Sequence, residues 1–212
     1  MDVIKVILVD DHAIVRAGYR FLIDTVADMR VVAEADSGEA GLTLLDKHDP
    51  DVVVLDLTMP GMGGLATIKR MLEGRPLLRI LVCSMHDSST LVERALQTGA
   101  TGYFCKNGAP DAMLRAIRKV ALGQAYIDPA LEQSMVLQGK SERNSPLGTL
   151  SSRELQILCL YAEGKTIEQI AEELGLSNKT ISNYLTLIKE KLHINTSAEL
   201  VRYALSKGLA LL

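Results

Sequence analysis

The sequence predicts two domains of different class: a doubly wound, five-stranded parallel α/β sheet over residues 1–122, then a small all-α domain of four helices over residues 149–212. Three observations carry this. Short β-branched runs alternate with amphipathic stretches five times in the first 122 residues, the pattern of β-then-α units in a parallel sheet. The first run, VIKVILV, is apolar almost throughout rather than alternating, as a strand covered on both faces is. From Leu150 onward the apolar spacing is helical, and the stretch between, residues 123–148, reads as a linker that contains a short helix.

Strands are expected at Val3–Val9, Met29–Ala35, Asp51–Leu57, Arg79–Met85 and Thr101–Lys106, with helices beginning near Ala13, Ser37, Gly64, Ser88 and Pro110. GQAYIDPALEQSMVLQ holds a helical piece opened by Pro129, and GKSERNSPLG (Gly139–Gly148) is polar and poor in apolar residues, as linkers are. Later helices are expected at 152–163, 167–174, 178–192 and 197–207. Ser151-x-x-Glu154, Thr166-x-x-Gln169 and Thr196-x-x-Glu199 each have capping-box form, and Ser177 is a fourth N-cap candidate.

Composition narrows the function classes. An apolar fraction of 48% and a charged fraction of 23% are globular values, which excludes a disordered or fibrous chain. No apolar run approaches the ~18 residues that cross a bilayer. The opening MDVIKVILVDD ends in acids rather than in a cleavage site, so a cytoplasmic protein with no membrane partner is expected. Cys83, Cys105 and Cys159 are odd in number and widely spaced, which argues against a disulfide framework or a zinc site. A net charge of −3 excludes a nucleic-acid binder that works by bulk positive charge, though not one with a local contact helix. With no Trp and two Phe, base-stacking platforms are excluded too.

The strand ends carry the chemistry. Asp10 and Asp11 close the first strand, Asp56 the third, Ser84 the fourth and Lys106 the fifth. In a sheet ordered 2-1-3-4-5 these ends share one rim, where ligands of such sheets bind. Three carboxylates together repel one another unless a cation is present, and a hard oxygen-liking ion such as Mg2+ suits them. An amine and a hydroxyl beside them suit a phosphoryl group, with Asp56 as a nucleophile that forms an aspartyl-phosphate. Singly, each residue has an ordinary reading. Asp10 or Asp11 suits an N-cap of the first helix, Asp56 suits a turn, and Lys106 suits a solvated surface.

VDDH (Val9–His12), VVLDLTMPGMGG (Val53–Gly64), CSM with Ser84 and GYFCK (Gly102–Lys106) together make residues 1–122 similar to the receiver domain of a two-component response regulator, a flavodoxin-like fold. The resemblance implies Asp56 as phospho-acceptor and Asp10, Asp11, Asp56 and the backbone carbonyl of Thr58 as Mg2+ ligands. It implies Ser84 and Tyr103 as switch residues and Lys106 as the phosphate-binding amine. Ser84 stands where that family more often has Thr, and either supplies the donor. Pro60, Gly61, Gly63 and Gly64 match the loop after the acceptor.

In the C-terminal part, Leu155, Leu158, Cys159 and Ala162 form one apolar helix face, and Ile167, Ile170, Ala171 and Leu174 form another. Gly175 allows a tight turn into a helix that buries Ile181, Leu185, Ile188 and Leu192, an arrangement that reads as helix-turn-helix. A plain helical bundle with a solvated polar face fits the pattern as well. LSSREL, AEGKTIEQIAEELGLSNKTIS and IKEKLHINTSAEL resemble the LuxR-type DNA-binding domain, and both halves together resemble the NarL/FixJ class of response regulators. That resemblance implies that Lys179, Ser182, Asn183 and Thr186 face DNA. Ser182 and Tyr184 replace that family's usual lysine and histidine. Residues 150–212 hold seven Lys and Arg (153, 165, 179, 189, 191, 202, 207) and seven Asp and Glu (154, 163, 168, 172, 173, 190, 199), so this domain is formally neutral. Weak or strongly sequence-dependent DNA binding is expected of it.

The resemblance implies a transcription factor, not an enzyme, with a sensor histidine kinase and promoter DNA as partners, RNA polymerase left open as a third, and a phosphorylation-dependent homodimer. The competing reading is a signalling adaptor whose helical domain binds protein. A metal-dependent phosphatase would need a substrate pocket that no motif supplies.

Overall fold

The computed structural model describes residues 3–132 and 146–210. The chain divides into two compact units, Met1–Met85 with Glu93–Ala130 and Leu131–Leu212 with His86–Val92.

Strand and helix alternate along the chain up to residue 127: β1 (Ile4–Val9), α1 (Ala13–Asp24), β2 (Met29–Ala35), α2 (Gly38–Leu45), β3 (Val52–Leu55), α3 (Gly64–Gly74), β4 (Ile80–Ser84), α4 (Ser89–Thr98), β5 (Gly102–Cys105), α5 (Pro110–Ala121) and β6 (Tyr126–Ile127). All pairings are parallel, in the order β2-β1-β3-β4-β5-β6. Every residue of β3 and β4 is buried, as apolar strands between two helix layers require. Each such Val, Leu or Ile is worth about 1.5–3 kcal/mol over the same side chain in water, so the sheet centre is a firm base for whatever its ends carry.

Five strands were expected, and the sheet has six. The sixth, Tyr126–Ile127, falls in the segment read as linker, and two residues are too short to show any periodicity. It is held by register rather than by pattern: Gly102 pairs with Tyr126 and Tyr103 with Ile127. A Cβ on Gly102 would lie 2.9 Å from the Tyr126 carbonyl oxygen, so glycine there lets the edge strand close in. At the start of α1 the N-cap is His12, which makes no side-chain capping bond, so the ordinary reading of Asp10 or Asp11 as a cap does not apply.

A helix, α6, starts at residue 129, and 129–132 are described. The rest of the expected helical piece and most of the expected linker lie outside the described residues. The second unit then holds a 3-10 turn (Pro146–Thr149) and four helices, α7 (Ser152–Ala162), α8 (Ile167–Leu174), α9 (Asn178–Leu192) and α10 (Ser197–Ser206). All three capping boxes are formed with both reciprocal bonds, and Ser177 caps α9 by accepting from the Thr180 N–H. Gly175 ends α8 in the left-handed region (φ 62°), which turns the chain sharply into α9. Glu154 is 5% exposed, and Lys191 of α9 donates to its two oxygens at 2.8 and 2.7 Å, tying α7 to α9. Among the described residues no helix is long and apolar enough to cross a membrane.

Candidate acidic site and candidate nucleic-acid interface

Asp10 follows β1 directly, Asp56 follows β3, Ser84 ends β4 and Lys106 follows β5. The sheet therefore brings together residues up to 96 positions apart in sequence. Lys106 Nζ lies 2.6 Å from Asp10 Oδ2 and 2.6 Å from Asp56 Oδ2, and the three side chains are 4%, 7% and 3% exposed. Burial pushes the Asp56 carboxyl up to about 6, against the Lys106 ammonium, which pulls it down, and with the Asp10 carboxylate, which adds to the rise. The Thr58 N–H donates to Asp56 Oδ1 at 3.2 Å. Ser84 and Tyr103 are wholly buried, and their side chains are hydrogen-bonded to each other.

The loop after Asp56 is shaped by glycine. A Cβ on Gly64 would sit 2.5 Å from the Asp56 carbonyl oxygen and 2.4 Å from Leu57 Cα, so α3 can start against this backbone only without a side chain. On the far side of the loop, Glu39 of α2 accepts from the Met62 N–H at 2.9 Å.

Asp10, Asp11, His12 and Asp56 each turn a ligand atom into one cluster whose atoms lie within 4.8 Å of one another. Asp11 Oδ1 is buried and has no hydrogen-bond partner. A buried carboxylate oxygen without a hydrogen bond, beside two further carboxylates, fits a divalent cation, with Asp10, Asp11 and Asp56 as the carboxylates able to hold it. His12 was not among the site residues expected from sequence. It stands next to the two acids in VDDH, but a lone histidine that begins a helix carries no signal of its own.

In α9, Ile181, Leu185, Ile188 and Leu192 are buried while Lys179, Ser182, Asn183 and Thr186 are exposed, the division expected from the 3.6-residue period. Two of these four are already engaged: Ser182 Oγ donates to the Asn178 carbonyl and Thr186 Oγ1 to the Ser182 carbonyl, both at 3.0 Å. Their hydroxyls therefore meet an external ligand as acceptors.

Two family models match the chain: the response regulator receiver domain over residues 6–118, and the bacterial regulatory proteins of the luxR family over residues 148–204. The transcriptional activator protein ExaE of Pseudomonas putida is 38% identical over 96% of this chain and 97% of its own length. The response regulator UvrY of Escherichia coli is 38% identical over 97% of this chain and 95% of its own. Among solved structures, RcsB from Salmonella enterica serovar Typhimurium, bound to a promoter in the presence of the phosphomimetic BeF3−, matches with a TM-score of 0.71 and 30% identity, covering 96% of this chain and 98% of that one.

Proposed function

The chain belongs to the two-component response regulators that join a receiver domain to a LuxR-type DNA-binding domain, and from that premise we propose that phosphorylation of Asp56 by a sensor histidine kinase controls its binding to promoter DNA. The observation that carries this reading is the pair of 2.6 Å contacts from Lys106 to Asp10 and Asp56. An ammonium held there compensates the acceptor before the reaction and is beside the new phosphoryl oxygens after it.

In the proposed reaction an Asp56 oxygen attacks the phosphorus, the P–N bond to the donor histidine breaks, and an acyl phosphate forms on Asp56. Asp10, Asp11, Asp56 and the Thr58 carbonyl would hold Mg2+, which would supply positive charge against the phosphoryl oxygens. Lys106 moves its contact from the Asp56 carboxylate to the phosphoryl group. Ser84 turns its hydroxyl toward the same oxygens, and Tyr103, bonded to Ser84, reads that change. The proposed domains are 1–122 for the receiver and 149–212 for the DNA-binding part, joined by 123–148. The protein dimerises on phosphorylation, and the second domain places α9 in the major groove. Lys179 then meets phosphate, and Ser182, Asn183 and Thr186 meet base edges. RcsB bound to a promoter supports this assignment, and the adaptor reading has no comparable support. The cytoplasm is where such a chain meets both its kinase and its promoter.

Acetyl phosphate with Mg2+ tests the acceptor: mass spectrometry of the full chain should show one added phosphoryl group, placed on Asp56. Labelling that survives EDTA overturns the metal requirement. Beryllofluoride should shift the sedimentation coefficient from monomer to dimer, and an unchanged coefficient overturns the dimer.

A further inference from the structure

We infer that Lys189, His193 and Asn195 form a phosphate-binding site at the C-terminal end of α9, which grips the DNA strand opposite the one that Lys179 meets. The inference rests on the reading of α9 as the helix that enters the major groove, and it adds backbone contacts at a place no motif marks.

The first argument is charge by elimination. A formally neutral domain has few cations to set against phosphate, and most of those in residues 150–212 are committed. Arg153 donates to the Leu174 carbonyl and to Gln156 Oε1. Lys165 pairs with Glu173, and Lys191 with Glu154. Lys207 is engaged as well, and Arg202 stands beside the Glu199 carboxylate. Lys179 and Lys189 remain, both on α9, and among the described residues neither makes a side-chain hydrogen bond or ion pair. Their spacing is the second argument. Ten residues put the two Cα atoms about 15 Å apart along the helix axis and about 80° apart around it. A helix lying across a groove ~12 Å wide therefore aims the two ammoniums at different walls, which belong to different strands.

The third argument is what surrounds Lys189. With Thr186, Glu190, His193, Ile194 and Asn195 it lines an open groove of about 490 Å3. Thr186 also belongs to the face assigned to base edges, so the groove continues that face. Among the described residues His193 is the one non-glycine with a positive φ, 56°. It ends α9 as Gly175 ends α8 at 62°, a conformation that glycine adopts with less strain. Histidine makes the same turn and adds an imidazole that glycine lacks. The turn is fixed by the His193 N–H, which donates to the Glu190 carbonyl at 3.1 Å, and the Ile194 N–H, which donates to the Lys189 carbonyl at 2.9 Å. A phosphate in this groove meets an ammonium as a point charge, with the imidazole and the Asn195 amide as N–H donors. Glu190 is the one carboxylate of the lining, and its repulsion limits the grip.

The test is fluorescence anisotropy of the full-length protein, with Mg2+ and beryllofluoride, on two labelled duplexes: one selected from a random pool by the wild-type protein, and one of random sequence. Lys189→Ala should weaken both alike and flatten the salt slope by about one unit. His193→Gly, which keeps the turn, and Asn195→Ala should weaken both with sequence preference intact. Glu190→Gln should tighten both, a gain that no folding defect produces. Single methylphosphonate replacements along the selected duplex should then find, in each half-site, one phosphate whose neutralisation weakens wild type but not Lys189→Ala. That phosphate should lie on the strand opposite the one whose effect vanishes in Lys179→Ala. An unchanged salt slope in Lys189→Ala, a loss of sequence preference in it, or two such phosphates on one strand overturns the inference and leaves α9 as the reading helix. If wild type binds neither duplex, the DNA-binding reading itself fails, and the inference falls with it.

Discussion

The rim of the sheet and the outer face of α9 are two functional surfaces built on opposite terms. At the rim, the side chains of Asp10, Asp56, Ser84 and Lys106 are almost wholly buried, each is fixed by the end of a strand, Lys106 bonds both acids, and Ser84 bonds Tyr103. On α9, Lys179, Ser182, Asn183 and Thr186 are exposed and share one helix, and the bonds recorded for Ser182 and Thr186 run to the helix's own carbonyls. A small, highly charged substrate can be matched by a few buried groups, because low dielectric makes every contact strong and every misplacement costly. A long polyanion is matched by a surface, and most of its grip comes from the partner's own charge. Single substitutions should therefore act as switches at the rim and as graded adjustments on α9.

The sharpest way to break that contrast is Asp56→Asn, which should abolish phosphorylation by acetyl phosphate; any remaining label, read by mass spectrometry, would place the acceptor elsewhere. Next in size is Asn183→Ala. Loss of an amide able to pair with adenine should cost ~1–3 kcal/mol on the specific site and blur one base pair, as a gel shift over single-base variants would show. Then comes Lys191→Met, which strands the buried Glu154 carboxylate. Because Lys191 is 39% exposed, solvent moderates the loss. About 1–2 kcal/mol should disappear from the C-terminal domain in urea unfolding, with the sheet domain unchanged.

The same pair sets a pH dependence. Burial works to raise the Glu154 carboxyl, but the bonds from Lys191 and Ser151 outweigh it and hold that group below the usual glutamate range. Its stabilisation is present above the ordinary glutamate value and is lost as pH falls through the depressed one. The C-terminal domain of wild type should therefore lose stability on acidification, and Lys191→Met should flatten that slope. The smallest effect is expected of Lys179→Ala, which should weaken all DNA sequences alike and reduce the salt slope by about one unit. Loss of sequence preference in this variant would reverse the roles given to Lys179 and Asn183.

How much of this the sequence carried depends on where each signal resides. The central strands were legible because burial on both faces leaves a continuous apolar run, and the rim was legible because a strand end is a defined place even before the sheet is seen. The starts of α7, α8 and α10 were legible for a different reason: a capping box is complete within four residues, so its geometry needs nothing from the rest of the chain. β6 was hidden because it exists only as a partner of β5, through a glycine that gives it room. Taken singly, Asp10 and Asp11 also suited a cap of α1, and that alternative gives way because Asp10 is drawn to Lys106. His12 was hidden because its meaning depends on which way its ring turns.

The capping boxes and the parallel sheet also set two different clocks. Helices whose ends are specified locally form and pack through short-range contacts, whereas each parallel pairing waits for a crossover of a dozen or more residues to close. The sheet is thus the slower of the two to assemble, and it is the part synthesised first. The first of the four later helices begins at Ser152, 22 residues after Ala130 (152 minus 130), a stretch that at ~5–20 residues per second takes a ribosome on the order of 1–4 s. The slow half therefore has that interval to itself, before the apolar faces of the fast half exist to compete for its exposed strands.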